Sequence, residues 1–248
     1  MPRIVCIIQA RMNSTRLPGK SLMNVNGITL IESVYRGAKS ARSLDDVVVS
    51  IPSSPSDDVL FDYLVEKCIP VTRGSENDLM KRHIEAADNY DSEIVVRIPG
   101  DNPLPHGTEI DRIVKFHLEE NRDGFSTNLS NAKASGYPDG IGAEIFSLES
   151  LKSAYELNPS KTQKEHVHLN FFNYTTAIVV SPKKFPVKAP KCPSEIARPD
   201  VILDINELVD LQYFQTMFND LGTNQPKIEQ IIPWHDMIGW KIRGSRRN

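Results

Sequence analysis

Residues 3–21 read RIVCIIQARMNSTRLPGKS, an apolar run of strand length followed by a basic loop punctuated by proline and glycine. A strand with no polar alternation suits a sheet covered on both faces, as in parallel α/β architectures. The loop closes on Gly19-Lys20-Ser21, the tail of the phosphate-cradling pattern G-x-x-x-x-G-K-[ST], yet Ser14 stands where that pattern needs its first glycine. A P-loop lysine also opens a helix whose amides hold the phosphates. Here SLMNVNGIT follows Lys20 and postpones any good helix to about Thr29. The dinucleotide fingerprint G-x-G-x-x-G is absent as well. The loop is therefore expected to hold phosphates another way, through Arg11, Arg16 and Lys20 and through backbone amides near Ser14.

Working outward, the first half alternates strand and helix patterns. Thr29 can cap a helix with Glu32 three residues on, and Leu30, Ile31, Val34, Tyr35 and Ala38 then share one face. DVVVSIP (46–52) reads as a second strand, with a helix from Ser56 carrying Leu60, Phe61 and Leu64. CIPVTR (68–73) is a third strand, followed by a helix from about Asp78 to Asn89. SEIVVRIP (92–99) is a fourth, and the next helix carries Ile110, Ile113 and Val114. Strands separated by helices of this length imply βαβ crossovers and a parallel sheet. After residue 124 the rhythm loosens. GFSTN, IGAEIFS, TTAIVVSP and PDVILDI read as strands. SLESLKSAYE, QKEHVHLNFF and a last segment with Leu208, Leu211, Phe214 and Phe218 read as helices. No repeat or linker interrupts the chain, so one domain, residues 1–248, is expected, with a regular strand–helix half at 1–123 and a looser half at 124–248.

The composition excludes several classes. The chain has 248 residues, 40% hydrophobic and 25% charged, ordinary values for a soluble globular protein. A formal net charge of −3 provides no field drawing it to nucleic acid or a membrane surface. Three dispersed cysteines with no C-x-x-C pair indicate neither a disulfide framework nor a zinc ribbon, and a cytoplasmic setting is expected. No apolar stretch reaches the roughly 20 residues of a membrane helix.

In an open parallel sheet, ligands bind beyond the carboxyl ends of the strands. Arg11, Arg16 and Lys20 follow the first such end, Arg73 the third, and Asp101, in PGDNP, the fourth. Cations and a carboxylate on one rim suit a polyphosphate with magnesium, which takes one or two carboxylates and completes its shell with phosphate oxygens and water. Asp204, ending the run VILD, is the candidate for the second carboxylate.

These residues carry a resemblance. IIQARMNSTRLPGKSL resembles the N-terminal signature of the nucleotide-sugar cytidylyltransferases, most of all the spore-coat polysaccharide (SpsF-like) group, related to the enzymes that make CMP-activated Kdo and sialic acids. It continues through RGSENDLMKR, VVRIPGDNPL, YPDGIGAEIFSLESL, KEHV and the strand ending at Asp204, over almost the whole chain. The resemblance implies a nucleotide-diphosphosugar-transferase-like (GT-A, Rossmann-like) α/β three-layer sandwich on a mostly parallel mixed sheet. It implies transfer of CMP from CTP to an acceptor, a sugar acid of the 2-keto-3-deoxy type or a related molecule, with a phosphorylated non-sugar acceptor as the alternative, with release of pyrophosphate and with Mg2+ as cofactor. By position, Ala10, Ser14 and Gly100 would approach the nucleotide, Arg11, Arg16 and Lys20 would hold the triphosphate, and Arg73 would read the pyrimidine, with Arg11, Lys20 and Asp101 as the catalytic residues and the first two on the leaving pyrophosphate. Asp101 and Asp204 would hold magnesium, and Tyr137, Asp139, Glu144, Glu165 and His166 would face the acceptor, so that 1–123 would be the nucleotide-binding half and 124–248 the acceptor-binding and second metal-ligand half. The family pattern carries an aspartate where this chain has Gly142, which implies an unusual acceptor. The lysines of SPKKFPVKAPKCPSE (181–195) read first as a solvated loop, and second as cations added near that acceptor.

His166 and His168 stand two apart, a spacing that does not chelate one metal on a helix. Trp234, Met237, Ile238 and Trp240 read as a C-terminal packing element or a homodimer contact, and the tail RGSRRN as solvated. Two other functions fit the fold: a glycosyltransferase, against which GDNP offers a single aspartate in place of D-x-D, and a non-catalytic nucleotide-binding module.

Overall fold

The computed structural model describes residues 2–243. The expected solvated tail lies outside them from residue 244 onward, but Arg243 is described, and its side chain is buried. The first strand, β1 (Ile4–Gln9), is central, as its unbroken apolar run demands. β2 (Asp46–Pro52) and β4 (Ile94–Pro99) flank it in parallel, and β3 (Val71–Gly74) extends the sheet beyond β2. Beyond β4, β6 (Glu144–Ser147) runs antiparallel between β4 and β5 (Phe125–Thr127). A short pair, β7 (Phe172–Asn173) and β8 (Ile178–Val179), forms a separate hairpin, and β9 (Val187–Lys188) closes the large sheet in the order 3-2-1-4-6-5-9. This is the expected mixed, mostly parallel α/β sandwich.

Alternate residues of β1 serve the two faces. Cys6 and Ile8 join a core with α1 (Leu30–Lys39), α2 (Asp58–Glu66) and α4 (Gly107–Glu120). The same core takes in α7 (Leu208–Asp220) and α8 (Ile228–Trp234). Val5 and Ile7 join a second core with α3 (Leu79–Asn89) and α5 (Leu148–Tyr155). A strand buried on both faces needs apolar residues at every position, which is what IVCIIQ supplies up to its last residue.

The helix after the loop begins where expected. Thr29 caps α1, its hydroxyl accepting from the Glu32 amide at 3.3 Å. The reciprocal half of the capping box is missing, because Glu32 is taken by Arg36 and by the Tyr63 hydroxyl. QKEHVHLNFF is not one helix. It splits at His166 into α6 (Lys161–Glu165) and a 3-10 turn at Val167–Asn170, with Asn170 Nδ2 bonded to the carbonyls of Gln163 and Val167. PDVILDI is not a ladder strand either. It contributes one isolated parallel bridge, Ile202 to Asp139. Only Ile178 and Val179 of TTAIVVSP form a strand. Trp234 is buried and donates to Asp220 at 2.9 Å, whereas Met237 and Trp240 are exposed in and beside a π-helical turn that leads into α9 (Trp240–Arg243).

Candidate active site

The carboxyl ends of β1 and β4 come together through a close approach. Gly100 donates to the Gln9 carbonyl at 2.9 Å, and a Cβ on Gly100 would lie 2.3 Å from that oxygen, so only glycine lets the two strands meet. Above this junction opens a cleft of about 490 Å³. Ala10, Arg11, Ser14, Arg16 and Lys20 line it from the loop, Gly100 and Asp101 from the end of β4, and Glu165 and His166 from the far wall.

The loop folds on itself. Met12 accepts from the amides of Ser14 and Gly19, each at 2.9 Å, and its own amide donates to buried Asp57 at 2.7 Å. Gly19 takes a left-handed φ of 73° and starts a single 3-10 turn at Lys20, not an α-helix, so no Walker geometry forms. The Ser14 amide is thus committed within the loop. Among the described residues, the amides of Thr15, Arg16 and Leu17 make no hydrogen bond, leaving a run of donors at the cleft's edge.

Lys20 is the hub of one end of the cleft. Its Nζ donates to Asp101 at 2.8 Å, to the Ile205 carbonyl at 2.8 Å and to Asn206 Oδ1 at 3.3 Å. Arg16 donates to the same Asn206 oxygen at 2.7 Å, and Asn206 Nδ2 donates to Asp204. Residues 16, 20, 101, 204 and 206 therefore form one network. Asp204 is raised above the ordinary carboxylate range by burial and by Asp101, an effect that Arg243 and Lys20 oppose. Half-buried Asp139 is pushed up to about 7 by burial first, then by Asp204, Asp101 and Glu144. Asp101 acts as a like charge on both Asp139 and Asp204, so three carboxylate groups gather here as hard oxygen donors, and a divalent cation would relieve the repulsion. Among the described residues no group of three or more side chains is poised as a complete metal cage, so the protein could offer only part of a coordination shell.

The other end is rich in arginine. Arg11 pairs with Glu165 at 3.1 Å, both half-exposed. Arg82, only 4% exposed, donates to the Ser75 carbonyl at 2.8 Å, while its Nε has no partner among the described residues. Burial and the nearby Arg11 charge hold its pKa down to about 10. Arg97 lies on the floor, held by Gln9 at 2.8 Å and by an ion pair with Glu144.

Several expected site residues sit elsewhere. Arg73 does not line the cleft. Its guanidinium is taken by the carbonyls of Pro52 and Ser54 and by Asp58 at 2.7 Å, because β3 points it toward the β2–α2 connection. Tyr137 is fully buried and donates to Glu109 at 2.7 Å, so it cannot touch an acceptor from there. Glu144 is equally buried beneath the floor, bonded to Arg97 and to the Tyr174 hydroxyl. At Gly142 any Cβ would lie 2.1 Å from Asn128 Oδ1, so this position has no room for a side chain, and its glycine reflects packing against Asn128, not a missing acceptor contact. Lys188 and Lys191 donate to the carbonyls of Glu120 and Ala134, away from the cleft, so the 181–195 loop brings neither of them to it.

Sequence reasoning passed over Asn206, Arg82, Arg97 and Lys161, which line the cleft. Arg97 did carry a signal, as a lone charge in the apolar strand IVVRIP, a place where a charge is costly unless paired. Asn206 carried none.

A doubly covered sheet with a cation and carboxylate rim at its strand ends defines a nucleotide-handling α/β protein. The sequence profile of the cytidylyltransferase family matches residues 5–188, and the chain belongs to that family. A solved cytidylyltransferase from Leptospira borgpetersenii superimposes with a TM-score of 0.84 at 25% identity, covering 98% of each chain. The spore coat polysaccharide biosynthesis protein SpsF of Bacillus subtilis is 27% identical over 90% of this chain and 89% of its own. A 3-deoxy-manno-octulosonate cytidylyltransferase from Christiangramia forsetii is 32% identical, over 48% of this chain and 47% of its own.

Proposed function

We propose that the chain transfers CMP from CTP to a sugar acid of the 2-keto-3-deoxy class, releasing pyrophosphate, in the synthesis of a surface polysaccharide. The observation that carries this reading is the Lys20 hub, which ties the basic loop to Asp101 and to the Asp204–Asn206 turn. Lys20 and Arg16 would bind the triphosphate from one side, with the unbonded amides of Thr15 to Leu17 beside them. Asp101 and Asp204 would hold Mg2+, which when bound supplies positive charge against the phosphate oxygens. The acceptor hydroxyl attacks the α-phosphorus in line, forming a P–O bond as the bond to the pyrophosphate oxygen breaks and the hydroxyl proton passes to water. The chain's own part is positional. Lys20 and Arg16 neutralise charge growing on the leaving pyrophosphate, and Lys20 shifts from Asp101 to phosphate as the nucleotide enters.

The other end of the cleft supports an acidic acceptor. Arg82 Nε has no partner among the described residues, and Arg11, Lys161 and Arg97 stand nearby in the same lining. A carboxylate there would relieve the repulsion between Arg11 and Arg82. This reading draws both ends of the cleft from both halves of the chain: the nucleotide end joins Arg16, Lys20 and Asp101 to Asp204 and Asn206, and the acceptor end joins Arg11, Arg82 and Arg97 to Lys161. It places the enzyme in the cytoplasm, where CTP is made, with exposed Met237 and Trp240 as a surface for a homodimer contact.

The test is pyrophosphate release from CTP and Mg2+ with a panel of 2-keto-3-deoxy sugar acids and phosphorylated small molecules. Release with the sugar acids is expected, and release with phosphorylated acceptors alone would overturn the acceptor assignment. Lys20→Ala and Asp101→Asn should each cut turnover by about a hundredfold or more. Near-normal turnover in either would sink the site assignment.

A further inference from the structure

The segment that carries Asp204 and Asn206 has almost no regular structure of its own. On its cleft side two amides anchor it, Leu203 to the Asp139 carbonyl and Ile205 to the Asp101 carbonyl, each at 2.8 Å. On its rear side the carbonyls of Ile202 and Asp204 and the amides of Asn206 and Glu207 point the other way, and the last described residue of the chain meets them.

We propose that Arg243 is a positioning residue for the nucleotide site: its buried guanidinium clamps the 202–207 turn from behind and so presents Asp204 and Asn206 to the cleft. The inference rests on the reading of those two residues as part of the nucleotide and cation site. Arg243 donates to the Ile202 carbonyl and, at 2.7 Å, to the Asp204 carbonyl. It pairs with Asp210 at 3.2 Å, with the two side chains 8% and 3% exposed. Asp210 in turn accepts from the amides of Asn206 at 2.9 Å and Glu207 at 2.8 Å. Arg243 thus binds the carbonyls of the turn and, through Asp210, its amides. The guanidinium also lies 4.2 Å from the ring centre of Tyr213, whose helix, α7, forms the wall behind the turn.

The chemistry requires arginine. A planar fork can serve two carbonyls and a carboxylate at once while stacking on a ring, and an ammonium cannot. The consequence reaches the cleft in two steps. Asn206, held at its amide by Asp210, gives its side-chain oxygen to both Arg16 and Lys20 and its side-chain nitrogen to Asp204. Releasing the rear of the turn therefore loosens the partner of both phosphate-facing cations together with one carboxylate. Groups that orient ligand-bearing residues from behind commonly matter to metal binding almost as much as the ligands themselves.

The full chain with Arg243→Met, and with Arg243→Lys as the milder variant, tests this in two readouts. In ligand-free protein, amide exchange at 203–207 should rise about tenfold or more in Arg243→Met, since a buried hydrogen bond to a charged group is lost, with Arg243→Lys in between. Exchange in α1 should stay at the wild-type rate. In the CTP assay, the Mg2+ concentration for half-maximal turnover should rise about tenfold, and excess Mg2+ should restore most of the turnover number. Unchanged exchange at 203–207 overturns the proposal. So does faster exchange spread evenly over the protein, or local loosening with no change in the Mg2+ requirement, since each reduces Arg243 to general packing. A wild-type chain that releases no pyrophosphate from CTP fails the proposed function instead and leaves the exchange result standing.

Discussion

At the scale of single residues, the site is governed by which charges find partners. Lys20 with Asp101 and Arg97 with Glu144 are paired, Arg82 Nε has no partner among the described residues, and Asp139 is crowded by like charges. Asp139 yields a pH prediction whose sign follows from linkage. Its folded pKa, about 7, lies above the ordinary value of 3.8, so between these values the folded state keeps a proton that the unfolded state has released. Without metal, this group makes stability fall as pH rises from about 4 to 7, at a limiting slope of about 1.4 kcal/mol per pH unit. Denaturant titrations in chelator should show that loss, and Asp139→Asn should flatten it. An unchanged slope in the variant would remove Asp139 from the carboxylate cluster. The residues misplaced from sequence, Arg73, Tyr137 and Glu144, fail for one shared reason. Their positions along the chain were legible, but the direction each side chain takes depends on what packs beside it. Asp58, Glu109 and Arg97 respectively claim them.

At the scale of elements, the parts with strong local patterns formed as read. β1 is apolar at nearly every position and central, and α1 starts at a capping threonine followed by one apolar face. Thr29→Ala should cost about 1 kcal/mol, the usual worth of a cap, measured as a lower denaturation midpoint with unchanged slope. A loss below a few tenths of that would show that the Met23 carbonyl, which already receives the Leu30 amide, holds the helix start without the cap. The parts that did not form as read are those whose hydrogen bonds go to partners outside a ladder. PDVILDI looks like a strand because its apolar residues pack, yet its backbone serves Asp101 and Asp139 instead of a neighbouring strand. QKEHVHLNFF has helical composition, but Asn170 captures two of its carbonyls and the segment turns at His166.

At the scale of the whole molecule, the cleft is a joint product of distant stretches of chain. Arg16 meets Asn206 across 190 residues, and Arg11 meets Glu165 across 154. A ligand that bridges such stretches stabilises the folded chain as a unit. CTP with Mg2+ at about a hundred times its Kd should add about 2.7 kcal/mol, seen as a rise in Tm that Asp101→Asn abolishes. No shift with the wild-type chain would contradict the proposed nucleotide site. The sequence by itself determined the alternation of strands and helices, the double covering of β1, and the shared rim of Lys20 and Asp101. Those features follow from local periodicity and from the rule that loops at the carboxyl ends of parallel strands share one edge. Only the tertiary structure decided that Arg82 and Arg97 enter the cleft while Arg73 leaves it. It alone decided that Gly142 is closed by Asn128 and that Arg243 reaches back to the Asp204 turn. Periodicity encodes which face of an element is buried. The partner a buried charge finds depends on how separate elements are brought side by side, and no short stretch of sequence carries that information.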